Sequence, residues 1–115
     1  MPKVILLIDD SQELLDNIHE FCELEGWNCL SATTGRTGIE LTQIYRPDLV
    51  LCDVKMLDNG FRVWDVLKDM NIPFVFVTAS LDPKTLKRIN ELGVSYIAKP
   101  FDLETLNNAI CSMLT

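Results

Sequence analysis

Reactive side chains in this sequence gather at one kind of place, the end of a short apolar run. Asp9 and Asp10 close "KVILLI", Asp53 closes "LVLC", Thr78 closes "FVFV" and Lys99 closes "YIA". Two like charges about 4 Å apart repel by roughly 4 kcal/mol at an effective dielectric near 20, so the acidic pair asks for a cationic partner. Three carboxylates are hard oxygen ligands suited to Mg²⁺, which takes one or two carboxylates, keeps several waters and completes its shell with phosphate oxygen. The hydroxyl of Thr78 and the ammonium of Lys99 are donors suited to those phosphate oxygens. Taken singly, each residue has a plainer reading: an aspartate capping a helix, a strand threonine, a solvated lysine. Their joint appearance at the relevant run ends is what chance does not supply.

Other chemistries lack their residues. There is no G-x-x-x-x-G-K-[ST] loop and no G-x-G-x-x-G after the first run, so a nucleotide cradle has no basis. No G-x-S-x-G elbow or Ser/His/Asp set appears. The single histidine, His19, has no ligand-spaced partner for zinc. A net charge of −7 argues against a grip on nucleic acid or an anionic membrane by bulk electrostatics. No apolar run is long enough to span a bilayer. Cys22, Cys29, Cys52 and Cys111 form no C-x-x-C pair and read as four reduced thiols serving as small core hydrophobes, which implies a cytoplasmic address. Trp27 and Trp64 read as packing residues.

The elements that must position these groups alternate in type. At 115 residues the chain is one domain, 1–115, with one core. Apolar runs at Val4–Ile8, Trp27–Ala32, Leu49–Cys52, Phe74–Val77 and Tyr96–Ala98 suit strands covered on both faces. Between them lie helical patterns. Ser11 is placed to cap a first helix whose apolar face is Leu14, Leu15, Ile18, Phe21 and Cys22, with Gly26 to end it. Ile39, Leu41 and Ile44 mark a second helix, closed by "RPD"; Val63, Trp64, Leu67 and Met70 mark a third, after Gly60. Asp82, Pro83 and Gly93 punctuate a fourth, and Asp102 caps a fifth through Leu106, Ile110 and Met113. Five strands alternating with five helices predict an α/β fold, a doubly wound parallel sheet with helices on both faces. Ligands bind such a sheet at the carboxyl ends of its strands.

"LLIDDS", "PDLVLCDVKM", "VFVTAS" and "YIAKPF", in this order and spacing, resemble the receiver domain of bacterial response regulators, the phospho-acceptor half of two-component signalling, over essentially the whole chain. The resemblance implies a flavodoxin-like sheet of order 2-1-3-4-5. It implies that Asp53 accepts a phosphoryl group from a histidine kinase or a histidine phosphotransfer protein. It implies Mg²⁺ held by Asp10, by Asp53, by the Lys55 carbonyl and, through water, by Asp9. Thr78 and Tyr96 would be the switch pair, and Lys99 the phosphoryl partner, aimed by a cis bond to Pro100. The surface of the fourth helix, fifth strand and fifth helix would then be read by an output protein or domain. The composition neither demands nor forbids dimerisation on activation.

Two departures from the family pattern stand out. In "DVKMLDNGF", Leu57 stands where proline is common and Gly60 falls about one residue early; the Gly93-to-Lys99 connection is also one residue short. The shortened loop is expected to shift the Lys55 carbonyl, and the Lys55 side chain is expected near the phosphoryl site, where it would compete with water. A Mg²⁺-dependent aspartyl-phosphate phosphohydrolase is the second reading, but such enzymes want a carboxylate two residues after the nucleophile, and Lys55 stands there. An unphosphorylated interaction module is the third, and it would need a degraded acceptor set. The leading reading is therefore a switch and not a turnover enzyme.

Overall fold

The computed structural model describes residues 2–114. Five strands, β1 (Val4–Ile8), β2 (Asn28–Ala32), β3 (Leu49–Cys52), β4 (Phe74–Thr78) and β5 (Ser95–Ala98), alternate with α1 (Gln12–Leu24), α2 (Gly35–Tyr45), α3 (Gly60–Leu67), α4 (Pro83–Leu92) and α5 (Leu103–Leu114). The sheet is parallel with order β2-β1-β3-β4-β5. This is the fold class expected from the alternation of elements.

The central strands are apolar on both faces because helices cover both. Ile5 and Leu7 of β1 join Leu15, Ile18, Phe21, Leu106 and Ile110 in the layer of α1 and α5. Leu6 and Ile8 join Val63, Leu67 and Ile89 in the opposite layer. The helix starts follow local chemistry. Ser11 accepts from the Leu14 amide (3.3 Å), Asp82 from the Thr85 amide (3.0 Å) and Asp102 from the Thr105 amide (2.7 Å), each satisfying a donor that the first helical turn leaves free. Gly93 ends α4 in the left-handed region at φ 70°, where a Cβ would be penalised.

Several sequence expectations are corrected. Trp27 lies before β2 and packs edge-on against Phe21, with ring centroids 6.0 Å apart. Gly60 is the first residue of α3, whose cap is Asn59. Ile44 was expected on the apolar face of α2 but is 70% exposed. Ile39 and Leu41 pack against the core as expected, while the buried positions of α2 are Gly35, Gly38 and Thr42, of which Gly38 lies against Ile8 of β1. Of the four free thiols, Cys22 and Cys52 are core groups as expected, Cys29 is half-buried and Cys111 is exposed.

A Cβ on Gly38 would press into the side chain of Ile8, lying 2.7 Å from its Cγ1. Gly38→Ala would gain about 1 kcal/mol of helix propensity, while forcing extra volume into a packed core costs typically about 1–3 kcal/mol. The variant is expected to lose about 1 kcal/mol net, read as a lower urea midpoint with an unchanged slope. A midpoint at or above wild type would mean that α2 can move away from β1 at little cost.

Candidate functional site

The sheet's hydrogen-bond ladder continues one residue past the strands and so fixes the backbone of the site. Asp9 N–H donates to the carbonyl of Ala32 (3.1 Å), Asp53 N–H to that of Ile8 (2.9 Å) and Lys99 N–H to that of Thr78 (2.9 Å). Ile8 pairs with Cys52 in the register of β1 and β3, so Asp9 and Asp53 leave adjacent strands side by side. Side chains expected at the strand ends therefore converge on one edge.

Asp9 and Asp53 are only 5% and 6% exposed, whereas Asp10 is open to solvent. One oxygen from each of the three carboxylates can be chosen so that all lie within 4.8 Å of one another. Lys99 Nζ stands 2.6 Å from Asp9 Oδ2 and 3.6 Å from Asp53 Oδ1. The Lys99–Pro100 bond is cis, as expected. Asp9 Oδ1 accepts the Ser11 N–H at 2.9 Å, so both oxygens of this carboxylate have partners. Burial is the largest influence on Asp53 and pushes its pKa up; Lys99 pulls it down, and Asp9 pushes it up again. The neighbouring Cys52 thiol is driven upward by burial and then by Asp53 and Asp9, and it donates to the Asp53 carbonyl at 3.3 Å.

Thr78 closes β4 fully buried, and its Oγ1 accepts the Ser80 N–H at 2.9 Å. Tyr96 is 45% exposed on β5. Lys55 is exposed on the loop after Asp53. Its charge is felt at Asp82, whose carboxyl is held below the usual range first by hydrogen bonds from Thr85 and least by Lys55. The amides of Ser11 and Ser80 belong to the site but were not singled out in the sequence. Each lies two residues after the group it serves, the spacing of Asx and Ser/Thr turns, and that spacing is the signal that could have found them.

An all-oxygen donor set with three clustered carboxylates and no nitrogen or sulfur ligand suits a hard divalent cation such as Mg²⁺. The excess of carboxylates over ammonium groups also leaves room for its charge. Among the described residues no helix is long and apolar enough to cross a membrane.

The family model described as "Response regulator receiver domain" matches residues 5–111. The chain is 34% identical over 115 residues to "Transcriptional regulatory protein CrdR" of Helicobacter pylori, an alignment covering 96% of this chain and 54% of that protein. It is 30% identical over 114 residues to "Sporulation initiation phosphotransferase F" of Bacillus subtilis, covering 96% of this chain and 92% of that protein. The chain thus spans about half the length of the first relative and nearly all of the second. A solved CheY-like receiver domain protein from Methanospirillum hungatei superposes with a TM-score of 0.92 at 25% identity, covering 99% of this chain and 94% of that one.

Because the folded protein raises the Asp53 pKa, ionised Asp53 costs stability at neutral pH. That cost falls away as the pH drops through the folded-state value, and it is gone below the unfolded aspartate value of about 3.9. Asp53→Asn is therefore expected to resist urea better than wild type at pH 7 without divalent cations, with the two curves converging toward acid. A less stable variant at pH 7 would mean that the pairing with Lys99 outweighs burial.

Proposed function

The chain belongs to the response regulator receiver domain family, and on that premise we propose that it is a phosphorylation switch with Asp53 as acceptor. The observation that carries this reading is the placement of Lys99 between Asp9 and Asp53, with Asp10 completing an acidic cluster beside it. Asp9, Asp10, Asp53 and the Lys55 carbonyl would hold Mg²⁺. When bound, Mg²⁺ supplies charge neutralisation for the carboxylates and for the phosphoryl oxygens.

Phosphoryl transfer needs positioning and charge stabilisation more than covalent help. A carboxylate oxygen of Asp53 attacks the phosphorus of a phosphohistidine. A P–O bond forms, the P–N bond breaks, and its electron pair stays with the donor imidazole. Lys99 is already poised beside the Asp53 oxygen and can turn from carboxylate to phosphoryl oxygen with little travel. The Thr78 hydroxyl, held by the Ser80 amide, keeps its own proton to donate to the new group.

Added charge and acceptor oxygens beside Thr78 and Lys99 then bias an existing equilibrium between two conformations. The exposed ring of Tyr96 leaves that position free to move inward as Thr78 turns, which would alter the surface of α4, β5 and α5. The donor would be a histidine kinase or a histidine phosphotransfer protein, and the reader an output protein or domain. The name of the Bacillus subtilis relative describes a phosphotransferase, a likeness that favours a relay role. Lys55, two residues after Asp53, offers no carboxylate for the second half of a hydrolytic cycle, so the proposal is a switch and not a turnover enzyme.

Incubation with Mg²⁺ and a small acyl-phosphate donor is expected to add one phosphoryl group by intact mass, with no adduct in Asp53→Asn. Lys99→Ala is expected to slow the reaction about 100-fold, in line with loss of one preorganised donor. Rapid multiple turnover would instead indicate a phosphohydrolase, and no adduct with wild type would indicate an interaction module.

A further inference from the structure

The loop joining β3 to α3 is tied down at both ends of its turn. Gly60 N–H donates to the Val54 carbonyl at 2.9 Å, and Met56 N–H reaches the same oxygen at 3.2 Å. A Cβ on Gly60 would collide with the Asp53 carbonyl oxygen and lie 2.8 Å from Val54 Cα. Residue 60 must therefore be glycine for α3 to begin this close behind the acceptor.

A third tie comes from outside the loop. Asp58 Oδ2 accepts the backbone N–H of Arg36, in the first turn of α2, at 3.1 Å and across 22 positions of sequence. A Cβ on Gly35 would stand 2.8 Å from Asp58 Cβ and 2.8 Å from Val63 Cγ2, so loop and helix are in direct contact. Neither adjoining helix takes its N-cap residue from Asp58, whose carboxylate instead satisfies the otherwise free first-turn amide of Arg36. Thr34 already caps α2 by accepting the Thr37 amide at 3.2 Å, and Asn59 caps α3 by accepting the Phe61 amide at 2.8 Å. What the bond from Asp58 fixes is the loop itself, which carries the carbonyl of Lys55.

We propose that Asp58 is a positioning residue for the cation site, holding the Lys55 carbonyl in place by anchoring its loop to the first turn of α2. This rests on the reading of Asp9, Asp10, Asp53 and the Lys55 carbonyl as the Mg²⁺ ligands. An outer partner of this kind governs affinity by fixing where a ligand sits, and its loss typically weakens a metal site by about tenfold or more.

The test is a Mg²⁺ titration followed by calorimetry. Asp58→Ala is expected to weaken binding about tenfold, while Asp58→Asn, which keeps an acceptor oxygen for the Arg36 amide, stays within about twofold of wild type. Arg36→Pro removes the donor while leaving residue 58 unchanged, at a first-turn position whose amide makes no intrahelical bond, and is expected to match Asp58→Ala. With an acyl-phosphate donor, the Asp58→Ala defect should vanish at saturating Mg²⁺, whereas a general loss of fold would persist there. Unchanged affinity in Asp58→Ala or Arg36→Pro, or equal losses in Asp58→Ala and Asp58→Asn, would overturn the proposal. Should Asp58→Ala fail to fold, the Arg36→Pro titration decides alone. If wild type takes up no Mg²⁺, the underlying reading falls as well.

Discussion

The ammonium of Lys99 lies between two carboxylates that the sheet has taken out of water, 2.6 Å from Asp9 and 3.6 Å from Asp53. Desolvating ions costs several kcal/mol each, and mutual attraction offsets this only where geometry is close and remaining lone pairs are satisfied. Asp9 meets that condition through Lys99 and the Ser11 amide. Asp53 does not meet it fully, because its lysine contact is the longer one and burial still pushes its pKa up. Asp53 is thus held in an environment that leaves its charge incompletely answered. A carboxylate in that state is stabilised by a nearby cation, which is what the proposed reading requires of it.

The fold exists around this edge in a definite sense. Ladder bonds from Asp9, Asp53 and Lys99 run to the last residues of β2, β1 and β4, so the positions of the reactive groups inherit the rigidity of the core. Both faces of the sheet are packed, by α1 and α5 on one side and by α2, α3 and α4 on the other. The longest loop at the site, between β3 and α3, is closed on its own Val54 carbonyl and fastened to the start of α2. Asp53 sits at the end of this rigid frame, and Thr78 and Tyr96, the switch pair of the proposed reading, sit toward the β5 edge.

Most of this was legible in the sequence because strand-end chemistry is local. An apolar run that stops at an aspartate declares both the strand and the group it presents, and the caps Ser11, Asp82 and Asp102 are visible from their spacing to the helices they start. Periodicity misplaced one residue of α2: Ile39 and Leu41 pack against the core but Ile44 is exposed, and the buried positions are Gly35, Gly38 and Thr42, whose small size is the packing signal. Cys111 was assigned to the core by residue type, yet it lies on the outward side of α5, next to the buried Ile110. The tie from Asp58 to Arg36 could not be read at all, since it depends on how a loop and a helix end meet after the sheet has formed.

On the proposed reading, the strand-end carboxylates together demand a divalent cation. Calorimetric titration of wild type and Asp10→Asn with Mg²⁺ at neutral pH measures this most directly. One saturable site per chain in wild type, weakened at least about tenfold by loss of the solvent-facing carboxylate, is the predicted result. Equal binding by the two proteins, or no uptake by wild type, would contradict it.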